Sequence, residues 1–86
     1  MPIHYPTIYK RVKDLLSDIT NIPADEIFAD MPLAEDPLGF TPQGLRALAP
    51  RLNAAFSDFG LDLQRSETGA LTTVRGIARL VFSKIS

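Results

Sequence analysis

The chain contains no cysteine, and His4 is its only histidine. A disulfide framework and a thiolate metal site are therefore excluded, and one imidazole cannot assemble the usual zinc ligand sets. No apolar run approaches the roughly 20 residues that span a bilayer, so no membrane span is expected. The opening Met1-Pro2-Ile3-His4-Tyr5-Pro6 lacks the charged and apolar regions of a secretory signal. A soluble, cytoplasmic protein is the expectation. A basic excess is missing too: the formal net charge is −1 and the pI about 5.6, against the balance of a nucleic-acid binder.

At 86 residues and 9.5 kDa, the sequence is bounded to one small domain, residues 1–86, burying roughly 60 to 65% of its unfolded surface. Only packing can hold it together. The charges are unevenly spread. Seven acids and no base lie between Asp14 and Asp36, whereas six bases face three acids from Gly39 onward. One end should be acidic and another mildly basic, a split that solvated faces also produce.

Three segments carry helical periodicity. Ile8, Val12, Leu15, Leu16 and Ile19 fall on one arc at about 100° per residue. Pro6 or Thr7 can start that helix, and Asn21 with Pro23 should stop it. The second helix begins with Thr41 as N-cap and Pro42 at the first helical position, where a missing N–H is harmless. Leu45, Leu48, Ala49, Leu52, Ala55, Phe56 and Phe59 form its apolar arc. Pro50 interrupts the run, a defect costing about 3 kcal/mol in a helix interior. The arc keeps its phase on both sides, which predicts a kinked continuous helix with Pro50 outward.

The third helix opens at Thr72 or Thr73 and gathers Val74, Ile77, Ala78, Val81 and Ile85, with Phe82 at the boundary. Gly60 is a plausible stop after the second helix, and a short turn over Ser66 to Ala70 is weakened by Gly69. Asn21 to Phe40 is too long for a structureless loop in a compact domain. Ile22, Ile27, Phe28, Leu33, Leu38 and Phe40 are its available anchors, with a helical turn over Ala24 to Ile27. The expected fold is all-α, a three- to four-helix up-down bundle with one long crossover between its first two main helices.

Several stretches carry a family resemblance. Thr7-Ile8-Tyr9-Lys10-Arg11-Val12 resembles the opening of bacterial acyl carrier proteins. Pro23-Ala24-Asp25-Glu26-Ile27 is similar to the short turn that follows it, and Leu33 to Gly39 to the approach to their modified serine, with Pro37 as a one-residue insertion. From Leu38 to Phe56 the likeness needs no gap, and Leu71-Thr72-Thr73-Val74 is similar to the start of their last helix. The resemblance implies the acyl or peptidyl carrier fold. It also puts Pro42 where the family has the serine that takes 4'-phosphopantetheine. Thr41 stands for the preceding aspartate, and Gln43 for the following leucine.

What the resemblance implies about function is therefore altered at the site itself. Pro42 has no hydroxyl, so no cofactor is expected. Arg46 and Arg51 replace the acidic surface with which typical carriers dock on synthases. The expectation is a non-catalytic, monomeric module that binds a protein partner, an enzyme of acyl-chain metabolism being one possibility, through Phe40, Thr41, Pro42, Arg46, Arg51 and Asn53. The alternative is a working acyl carrier bearing 4'-phosphopantetheine on Thr41 or another hydroxyl. A third is a pocket for a free fatty acid between helices, with only the arginines to hold its carboxylate.

Other chemistry has weaker support. Glu35-Asp36 could serve acid and base work or a hard cation, but adjacent acids in a polar loop are usually solvated, and no nucleophile accompanies them. Lys10, Arg11 and Lys13 read as a solvated helix face. Core anchoring is the expected role of Phe40 and Phe82, and the remaining serines, Ser86 included, read as turn or surface residues.

Overall fold

The computed structural model describes residues 4–85, so the readings of Ser86 and of the first three residues lie outside it. Four α-helices and no strand occur among the described residues: α1 (Tyr5–Thr20), α2 (Pro42–Ala55), α3 (Arg65–Gly69) and α4 (Val74–Ile85). Short 3-10 turns at Ala24–Glu26 and Ser57–Phe59 complete the order. None of the described helices is long and apolar enough to cross a membrane.

Ile8, Val12 and Leu16 give α1 its buried stripe, and Leu45, Leu48, Ala49 and Leu52 give α2 its own. They meet Phe56, Val74, Ile77 and Val81 in one core. Full burial of each large side chain contributes about 1.5 to 3 kcal/mol, which is how a chain without crosslinks holds together. α1 begins slightly earlier than expected, at Tyr5, with the His4 carbonyl accepting the Thr7 and Ile8 amides. It stops at Asn21 as expected, in a left-handed conformation with φ 67° that returns its N–H to the Ser17 carbonyl.

The long segment between α1 and α2 is fastened to the start of α4. A helix leaves its first amides without internal acceptors, and here the Met31 carbonyl accepts from Val74 while that of Ala29 accepts from Arg75. Thr73 caps the same helix, its hydroxyl accepting the Gly76 N–H at 3.2 Å. Leu33 donates to Thr72, and Asp30 meets Arg75 at 2.6 Å. Ile27, Leu33 and Leu38 are buried anchors. Phe28 is not an anchor: it is 62% exposed, because the strap turns there to present its backbone to α4.

Two further aromatic expectations are corrected. Phe82 is 36% exposed and stacks edge-on against Tyr5, with ring centroids 5.8 Å apart, instead of entering the core. Phe59 lies beyond the end of α2, half-buried on the 3-10 turn closed by Gly60. Arg11 is no plain solvated charge either. Its guanidinium lies 5.4 Å from the Phe56 ring centre and 5.5 Å from that of Phe59, and pairs with Asp58 at 3.1 Å. It clamps α1 to the turn after α2.

Candidate functional site

α2 places the residues singled out in the sequence, beginning at its first turn. The Thr41 hydroxyl accepts the Gly44 N–H at 3.0 Å, a direct N-cap, and Pro42 follows at the head of the helix, exposed. Gly39, at φ +60°, turns the chain into this start through a backbone conformation that other residues adopt at a cost. Thr41 is therefore both exposed and engaged in holding the helix end.

The helix runs unbroken through Pro50, whose ring faces outward as expected. Proline has no N–H, so the Arg46 carbonyl, four residues earlier, loses its normal helical donor. Thr68 of α3 stands in its place. This residue is 0% exposed, and its hydroxyl lies 3.4 Å from the Arg46 carbonyl and 3.2 Å from that of Arg65, so one proton serves two acceptors. No buried side-chain nitrogen or oxygen among the described residues lacks a partner.

The Arg46 side chain also meets α3. A Cβ built on Gly69 would lie 3.0 Å from Arg46 Cγ, so a side chain at position 69 would push the arginine stem aside by a few tenths of an ångström. Neither Thr68 nor Gly69 was among the expected site residues. The signal for them was partial: Pro50 marks the carbonyl of Arg46 as needing a donor, without saying which distant residue supplies it.

The six expected residues do not form one face. Pro42 and Arg46 line a cleft against α3 with Ser66, Gly69 and Ala70. Phe40, Thr41 and Arg51 line a separate hollow on the opposite flank, closed by Ile19 and Leu48. At 100° per residue, Arg46 and Arg51 stand roughly 140° apart around the helix. Asn53 is turned to internal work: it accepts the Leu63 N–H at 2.8 Å and donates to the Leu63 carbonyl at 3.2 Å. That pair of bonds pins the segment leading into α3 against α2.

Charges near the site are sparsely paired. Glu67 of α3 meets Lys84 at 2.8 Å and also accepts the Gln64 amide, so Lys84 first and the amide second hold its carboxyl below the usual range. Arg46, Arg51 and Arg65 have no acidic partner within ion-pair distance among the described residues. Glu35 and Asp36 are exposed, and no three potential metal ligands gather among the described residues. Neither a family model nor a curated protein matches this chain.

Proposed function

We propose that the chain is an acyl-carrier-like module without a prosthetic arm, a non-catalytic bundle that works by binding another protein in fatty-acid, lipid or secondary-metabolite biosynthesis. The observation that carries this reading is Pro42. It occupies the exposed head of α2, where the resemblance puts the modified serine, and it has no nucleophile. The neighbouring Thr41 hydroxyl is engaged with Gly44, and replacing such a cap contact costs about 1 kcal/mol. The order of helices, with the long strap before α2 and the short α3 before α4, supports the same reading.

The exposed arginines of α2 support a docking role, since unpaired surface cations steer an oppositely charged partner. Affinity capture with the natural chain and with an Arg46→Glu, Arg51→Glu chain tests it. The reading expects proteins of acyl-chain metabolism to be recovered by the first and lost from the second. Equal recovery by both removes α2 from the docking surface.

A further inference from the structure

The clefts beside α2 are unequal, and the side facing α3 carries two arginines, Arg46 and Arg65. Two hollows of about 440 and 380 Å³ lie one on each side of Arg46 and Ser66, and together they make a shallow trough, crossed by the Arg46 stem, along α2 from Pro42 to Asn53. Eleven helical steps at about 1.5 Å make this roughly 16 Å long, the length of about five residues of extended chain. That is too long for one small anion and suits a peptide segment. Ala49, Pro50 and Leu63 supply an apolar wall.

Charge makes the trough directional. Among the described residues Arg46 and Arg65 have no acidic partner within ion-pair distance, and Asp62 lies at the end beside Leu63 and Asn53. None of the seven acids of the 14–36 stretch lines either hollow. The first part of the Arg46 stem packs over Gly69, while the residue as a whole is exposed.

We propose that the trough between α2 and α3 binds an extended acidic segment of a partner protein, its carboxylates on Arg46 and Arg65 and its uncharged or basic end beside Asp62. This rests on the reading that the chain serves a protein partner, and it moves the contact from the outer face of α2 to one flank. Arg51, on the other flank, takes no part.

The test is a backbone-amide NMR titration of the labelled full chain with a capped pentapeptide carrying two glutamates around a leucine. Saturable shifts at Arg65, Ser66 and Gly69 are expected. Making Arg46→Gln or Arg65→Gln should weaken binding about tenfold, the loss of one charge-assisted contact, and exchanging both glutamates for glutamine about a hundredfold, the loss of two. Arg51→Gln should leave it unchanged. Gly69→Ala, which displaces the Arg46 stem, should weaken it in a chain whose spectrum stays that of a folded protein. Four titration results overturn the proposal: no shifts; equal binding of the glutamine peptide; equal sensitivity to Arg51→Gln; or the same shifts at equal affinity with inorganic phosphate. Peptide-free, concentration-dependent shifts at these amides would assign the trough to a second copy and also overturn it. A pantetheine adduct on the chain would sink the armless reading and leave the titration standing, so the two failures are distinguishable.

Discussion

The Thr68 hydroxyl faces the Arg46 carbonyl at 3.4 Å, the acceptor that Pro50 leaves without a helical donor. A proline defect in one helix is thus answered by a buried polar residue in the next. Thr68→Val keeps the shape of the side chain and removes the proton, so it should destabilise the domain by about 1 to 3 kcal/mol. Pro50→Ala restores the helical N–H and should stabilise by up to about 3 kcal/mol. In that background the Thr68→Val penalty should shrink without vanishing, because the Arg65 carbonyl still loses its donor. Chemical denaturation of the four chains measures this coupling, and an unchanged Thr68→Val penalty would mean the contact does not answer the proline.

Asn53 gives a second stability prediction. Its amide closes two bonds to Leu63, so Asn53→Ala should cost about 1 to 3 kcal/mol. At this size each kcal/mol lowers the thermal midpoint by about 4 to 8 °C. A midpoint shift below about 2 °C would mean that the two bonds to Leu63 do not hold the segment before α3.

Acid sensitivity follows from two carboxylates. The Arg11 guanidinium holds Asp58, and Lys84 holds Glu67, below the usual carboxylate range. Groups with depressed folded values contribute stability that is whole above their unfolded values, near about 3.9 and 4.3. It is lost as pH falls through the lower folded values. Thermal midpoints of the natural chain and of Lys84→Met should therefore differ at neutral pH and converge as pH falls below the usual carboxylate range. Both groups are at the surface, so added salt should narrow the neutral-pH gap as well. A gap that persists in acid would assign the effect of Lys84 to packing of its stem.

Much of the fold was legible because the core is built from regular periodicity. Ile8, Val12 and Leu16, or Val74, Ile77 and Val81, need only a helical wheel to be placed inside. Thr41 and Pro42 announce the start of α2 by their own local chemistry. Phe28 and Phe82 misled because hydrophobicity alone does not say where a strap turns or where a helix face meets its edge. Asn53 and Thr68 depend on partners 10 and 22 residues away, and no local pattern encodes such pairs. The site was half legible for the same reason: Pro42 and Arg46 could be marked, and the roughly 140° between Arg46 and Arg51 follows from the helical wheel, while the flank of α2 that α3 covers emerged only from the fold.

On the function proposed above, Pro42 stands at the attachment position and the bundle bears no prosthetic arm. The intact masses of the natural chain and of Pro42→Ser, each incubated with coenzyme A and a broad-specificity phosphopantetheinyl transferase, test it most directly. The natural chain should keep its mass, and Pro42→Ser, with the Thr41 cap intact, should gain one phosphopantetheine. A stoichiometric adduct on the natural chain that disappears in Thr41→Ala would contradict the claim and make Thr41 the attachment residue of a working carrier.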